Sequence, residues 1–312
     1  MLSLSKAEKS YIRAGLLATP PSRADGRALL DCRSIALETG IAPLANGSAR
    51  LSIGGGTEVV AATKVEVESI ENNSDGRDGG PLDDLQTDLT ILLHQTLSHH
   101  SLHPKNLGIL PTKKSWLLNL DVLVLSDAGN IFDALFMASR AALWDTRVPR
   151  TRNVEYNART RKTTDGGKRQ ADVDVDEETQ SGFDTRMIHK ATDFELPDYW
   201  DEGEVLDGRD MWPIAVTLNL ESPVHFLDAT AQEETATALR MLFAFSFPAL
   251  TAPVMQAMRM LGPGEMTPTQ LKELVRVGEH YAREMFSALN SKLKEEDVRR
   301  NHKAREIFEL HR

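Results

Sequence analysis

Four clusters in this sequence carry residue types able to do chemistry. They are the triple glycine Gly54, Gly55 and Gly56, the histidines His94, His99, His100 and His103, the alternating aspartates Asp172, Asp174 and Asp176, and the acids Asp228, Glu233 and Glu234. Bare backbone N–H groups of a glycine run can cradle phosphate, but no Gly-Lys-Ser/Thr follows and the run sits between two strand patterns. A hairpin turn is the better reading. His99 and His103 have i, i+4 spacing, yet lack the Glu of a zinc-protease helix and any nearby Cys, which points to a solvated helix end. The aspartate triplet imitates the start of a calcium loop, but Glu177 stands where the sharp turn needs Gly and Phe183 where the bidentate acid belongs. Asp228, Glu233 and Glu234 could hold magnesium or serve as turn and cap residues, and spacing favours the second role because acids collect in turns. No metal and no cofactor is expected.

The elements that must position these residues read in two passes. Ser5 and Glu8 have capping-box spacing and open a helix that Pro20 and Pro21 stop. Short β-branched runs at 34–37, 50–53, 58–62 and 64–67, separated by Gly40, Asn46-Gly47 and the triple glycine, predict antiparallel strands. A surface loop over 71–84 precedes a helix carrying Leu85, Leu89, Leu92, Leu93 and Leu97. The apolar run 116–125 predicts a buried strand, Asp127 to Asn130 a turn, and Leu135 to Trp144 a helix. Order resumes at Trp212 with 214–220 and 224–227. The segment 237–247 is ambiguous by periodicity, and an amphipathic helix opens at Thr267 and runs to Leu289, with charged residues from Lys292 expected to fray. Strands first and helix later in both parts indicate an α+β fold of two related halves.

Five segments follow: an N-terminal helical arm over 1–28, a first half over 29–149, an insertion over 150–210, a second half with its helix over 211–290, and a charged helical tail over 291–312. The insertion begins basic and becomes acidic with almost no aliphatic periodicity, which predicts disorder over most of it.

Composition narrows the function classes. The chain has 312 residues, a net charge of -10 and one cysteine. That length buries a real core, Cys32 alone excludes a disulfide framework, and the acidic balance argues against a stand-alone nucleic-acid binder. The charged opening residues predict no secretory leader, and no apolar stretch approaches the roughly 20 residues of a spanning helix.

The motifs Arg23-Ala-Asp-Gly-Arg27, Asp31-Cys-Arg33, Ala45-Asn-Gly-Ser-Ala-Arg50 and Gly56-Thr-Glu-Val-Val60 occur in that order. Downstream stand 120–125, 127–134, 138–143, and Phe226-Leu-Asp-Ala-Thr230 with Glu233 and Glu234. Together they resemble RNase PH-like proteins, and within them the non-catalytic branch that builds the ring of the eukaryotic RNA exosome. The resemblance implies an RNase PH-like fold whose halves each combine mixed or antiparallel sheet with packed helices. Active members hold phosphate with a Gly-Thr/Ser-Arg triplet at a helix N-terminus; here those positions read Asn130, Ile131 and Phe132. Active members also use two acids six apart, which fall on Glu234 and Arg240.

The resemblance therefore implies a chain without catalysis, in a six-membered ring of RNase PH-like subunits. S1 or KH cap subunits, a separate hydrolytic 3′ to 5′ exonuclease and single-stranded RNA would be its partners, in nucleus, nucleolus and cytoplasm. Arg50, Lys64, Lys113, Lys114, Arg140 and Arg147 are the candidates for RNA contact, with solvated surface charge as the plain alternative. The rival function is an active phosphate-dependent 3′ to 5′ exoribonuclease.

Overall fold

A computed structural model describes residues 4–69, 84–110, 113–156, 183–184, 193–196, 203–248 and 252–310. Helix α1 (Lys6–Leu16) starts on a complete capping box: Ser5 Oγ accepts the Glu8 N–H, and Glu8 accepts the Ser5 N–H at 2.7 Å. Its Leu16 is buried against Phe226 and Ala229. Strands β1 (Ile35–Thr39), β2 (Gly47–Ile53) and β3 (Thr57–Ser69) follow as an antiparallel meander, with Ile53 facing Thr57 across the glycine turn. Gly55 and Gly56 adopt φ of 92° and 112°, a region that residues with a Cβ avoid, so the turn requires glycine and the hairpin reading holds.

Helix α2 (Asp84–Leu97) follows, and β4 (Gly108–Leu110) and β5 (Lys114–Ser126) complete a five-stranded sheet of order β1-β2-β3-β5-β4. Strand β5 differs from expectation in one respect. Trp116 is buried, but Leu123 and Leu125 are more than half exposed, because they point to the opposite face of the strand from Trp116, Leu120 and Val122, which pack into the cores.

Helix α3 (Ile131–Asp145) buries all its residues except Phe132. It packs against β2 and β3 on one side and the second sheet on the other, so a helix apolar nearly all round is what this position selects.

Residues 150–210 are not featureless. Beyond β6 (Arg147–Val148), β7 (Arg152–Tyr156) pairs with β8 (Phe183–Asp184) and β9 (Asp193–Glu195), while β10 (Glu204–Val205) pairs with β6. Phe194 sits edge-on to Trp116 with centroids 6.0 Å apart. Among the described residues of this segment, long-range pairing and one aromatic anchor thus organise strands too short to show periodicity, while most of 150–210 lies outside the described residues. The aspartate triplet at 172–176 lies outside the described residues.

The second half begins with β11 (Ile214–Glu221) and β12 (Val224–Phe226), then helix α4 (Ala231–Ala236), β13 (Leu239–Ser246) and β14 (Val254–Leu261). The sheet order is β12-β11-β13-β14, all antiparallel. The ambiguous segment 237–247 thus resolves as a helix end followed by strand.

Helix α5 (Pro268–Leu310) does not stop near Leu289. Leu293 is fully buried, Glu296 is enclosed and accepts the Thr39 N–H, and Asp297 accepts Arg209 at 2.8 Å and the Trp144 indole at 3.1 Å. Arg300 pairs with buried Asp145. These contacts fold the helix back over the first half, and they correct the expectation of a frayed tail through residue 300. Among the described residues no helix is long and apolar enough to cross a membrane.

Candidate functional site

The turn before α3 brings the two halves together. Asp127 accepts the Gly129 N–H, while Thr57 Oγ1 donates to the Gly129 carbonyl and accepts the Ala128 N–H. Asn130 then adopts φ 63° as N-cap. Its amide does not cap the helix but donates to Asp228 Oδ1 at 3.0 Å, and its backbone N–H donates to Glu234 Oε1 at 2.9 Å. Glu234 in turn faces Arg240 Nη1 at 3.0 Å. The structure thus gathers Asn130, Glu234 and Arg240 at one point. Ile131 and Phe132 turn away from it: Ile131 is buried in the main core, and Phe132 packs beside Leu92, Phe136 and Leu242.

Around this point lies a network of arginines. Arg23, buried, bonds both oxygens of Glu233 at 2.9 and 2.7 Å and donates to the carbonyls of Leu227 and Asp228. Arg33 grips both oxygens of Asp228 through Nε and Nη2 at 2.9 and 2.7 Å, and its backbone N–H adds a third bond at 2.6 Å. Arg27 adds another to Asp228 Oδ2 at 2.9 Å. Glu233 is also the far member of a capping box with Thr230. The three acids therefore act as cap and ion-pair residues, and each faces a guanidinium, a poor arrangement for a divalent cation. Beside the network opens a cleft of about 640 Å³ lined by Asp25, Arg27, Arg33, Gly55, Asp127 and Thr230 among others.

Electrostatics differ between the acids. Burial pushes the Asp228 carboxyl up, but hydrogen bonds and charge from Arg33, joined by Asn130, hold it below the usual aspartate range. Burial raises Glu234, against the pull of Arg240 and the Asn130 N–H. Asp133, in the first turn of α3, is fully buried and accepts the Thr217 hydroxyl at 2.7 Å; burial pushes its carboxyl up to about 7.

This raised value has a sign. Between the ordinary aspartate value of 3.8 and about 7 the folded chain holds a proton that the unfolded chain has released, so this group makes stability fall as pH rises through that window. Asp133→Asn, which can still accept from Thr217, is expected to remove a slope amounting to about 2–4 kcal/mol between pH 4 and pH 8. Urea unfolding of both proteins across that range measures it; parallel curves would contradict the assignment.

The RNA-contact candidates scatter. Arg50 pairs with Glu58, Lys64 with Glu66 at 2.7 Å, and Lys114 with Asp193 at 2.9 Å beneath Phe194. Lys113 is exposed and Arg147 half-buried. Arg140 is corrected outright. It has no exposed surface, stacks on Phe286 at 4.4 Å, donates to the Trp212 carbonyl and Asn290, and burial pushes it down to about 9. A guanidinium spent on three residues of its own core presents nothing to RNA. The histidines make local bonds at a helix end: His99 Nδ1 with Ser101, and His103 Nε2 with the Ser98 carbonyl.

Sequence reasoning quoted Arg23, Arg27 and Arg33 as motif but assigned them no role, and it missed Asp133. No local signal marks either, since their partners lie roughly 80 to 210 positions away.

Residues 31–149 match the RNase_PH family, 3' exoribonuclease family, domain 1. An "Exosome complex component Rrp42" of Methanothermobacter thermautotrophicus is 30% identical over 145 residues, 41% of this chain and 53% of the relative. Another of that name from Saccharolobus islandicus is 30% identical over 165 residues, 47% and 60%. The chain thus spans between half and three-fifths of the length of these curated relatives. A solved chain of the Archaeoglobus fulgidus exosome with RNA bound to the active site superposes with a TM-score of 0.61 at 19% identity, covering 90% of this chain and 97% of that one. That likeness establishes an RNase PH-like fold.

Proposed function

We propose that this chain, which carries an RNase PH domain over residues 31–149, is a non-catalytic structural subunit of an RNA exosome core ring of the Rrp42 type. In that role it helps form the channel that guides single-stranded RNA to a separate hydrolytic 3′ to 5′ exonuclease, in ribosomal RNA processing and RNA decay. Other RNase PH-like subunits and S1 or KH cap subunits are its neighbours, in nucleus, nucleolus and cytoplasm. The observation that carries the reading is the pairing of Glu234 with Arg240 beside Asn130. A cation stands where the resemblance places the second acid, and neither a hydroxyl nor a guanidinium follows Asn130 at the start of α3, where the resemblance places a phosphate clamp.

Assembly has its own support. Leu123 and Leu125 on β5, and Val254, Met255, Met258 and Met260 on the edge strand β14, are large apolar side chains left exposed. An edge strand with an apolar face is a liability in a monomer and a natural seat for a neighbouring subunit.

The test is turnover by the isolated chain. With poly(A), inorganic phosphate and magnesium it is expected to release no nucleoside diphosphate above a buffer blank. Phosphate-dependent product that disappears in Glu234→Ala would instead make the chain an exoribonuclease.

A further inference from the structure

An α-helix starts with four N–H groups lacking intrahelical acceptors and with the positive end of its dipole, so a helix start attracts anions. At α3 that attraction is met from within the chain. The Glu234 carboxylate accepts the Asn130 N–H at 2.9 Å and faces Arg240 at 3.0 Å, with only about a fifth of either side chain exposed. We propose that Glu234 is a built-in anion, filling an oxyanion position formed by the Asn130 N–H and the Arg240 guanidinium and thereby keeping inorganic phosphate out of it.

Three features hold the carboxylate there. The Thr230–Glu233 capping box fixes α4, the Ala231 N–H donates to the Ala128 carbonyl at 2.9 Å, and Arg23 anchors Glu233 next to Glu234. The helix carrying Glu234 is thus tied directly to the turn that opens α3. Burial disfavours the charge on Glu234 and nearby Asp127 opposes it, so Arg240 and the Asn130 N–H are what keep the carboxylate in place. The carboxylate thus sits between these two donors, where a second anion would meet its negative charge. The idea deepens the non-catalytic reading, but rests on it only in taking the position as one where phosphate would otherwise bind.

Removing the carboxylate should leave a vacancy that small oxyanions can fill. Thermal unfolding of the full chain is compared for wild type, Glu234→Ala and Glu234→Ala/Arg240→Ala in chloride, formate and inorganic phosphate at matched ionic strength. The single variant is expected to unfold about 5 °C lower in chloride. Roughly half of that loss should return in about 100 mM formate or phosphate. Wild type should show no shift beyond chloride, and the double variant no rescue. Equal shifts in wild type and variant, no rescue, or rescue that survives loss of Arg240 overturns the proposal. Should Glu234→Ala fail to fold in chloride, folding restored by formate supports the proposal and continued failure counts against it. None of these readouts involves RNA turnover, so a failed rescue pattern overturns this proposal and leaves the structural-subunit reading standing, whereas phosphate-dependent activity of the wild type on poly(A) would count against both.

Discussion

Asp228→Ala is expected to lower the unfolding free energy by about 3–5 kcal/mol, the range for removing one partner of a buried ion pair. Asp228 is almost wholly enclosed, has φ 45°, and receives Arg33 on both oxygens, Arg27 and the Asn130 amide. Deleting it takes the shared carboxylate from two mostly buried guanidinium groups and one amide, and each donor left short of an acceptor keeps its desolvation penalty. The elements it joins also matter: Arg27 and Arg33 precede β1, Asn130 opens α3, and Asp228 follows β12, so a single side chain fastens the two halves. Urea unfolding measures the loss. A decrease below about 1 kcal/mol would show that the network is ornamental. Asp25→Ala removes a more exposed partner of Arg27 and should change stability by less than about 0.5 kcal/mol. The pH dependence has a definite direction. The carboxyl lies below the ordinary 3.8, so its contribution is fully present above that value and is lost as pH falls through the lower folded value. The gap between wild type and variant should therefore persist at neutral pH and close only in acid.

Gly129→Ala should be of similar severity for a different reason. Gly129 has φ 99°, and a Cβ there would lie 2.5 Å from Ala229 O, from Ala231 N and from Thr230 C. All three are backbone atoms and cannot swing aside as a side-chain end could. The substitution combines backbone strain of about 1–3 kcal/mol with a forced separation of the α3 turn from α4, breaking the bond from the Ala231 N–H to the Ala128 carbonyl. A total near 3–5 kcal/mol corresponds to a midpoint lowered by roughly 6–15 °C for a chain of this size. Gly108→Ala is the matched control, because nothing lies within 4 Å of its Cβ position and its φ is not positive. Similar midpoints for the two variants would refute the close approach.

Much of the architecture was legible because it rests on local chemistry. The Ser5–Glu8 box, the glycine hairpin between β2 and β3 and the α3 face each follow from a spacing of a few residues. What failed did so where partners are distant. Leu293 and Glu296 look like part of a charged tail until β1 and Thr39 are placed against them. Arg140 looks like any exposed cation until Phe286 and Asn290 close over it. The strands within 150–210 have two to five residues each, too few for a period to register.

The candidate site divides along the same line. In the sequence, the family resemblance pointed to Asn130, Glu234 and Arg240, and spacing read the acids at 228, 233 and 234 as turn and cap residues. Residue type sets which charges and caps are possible, and short spacing sets the turns that carry them. Only the tertiary structure decided how those charges are used: Asp228 shared by Arg27 and Arg33, Glu233 held by Arg23, and Glu234 seated at the start of α3. Hydrogen bonds and ion pairs act over about 3 Å, while these partners stand roughly 100 to 210 residues apart along the chain. Only folding, driven by burial of the two sheets against α3, brings them within that reach.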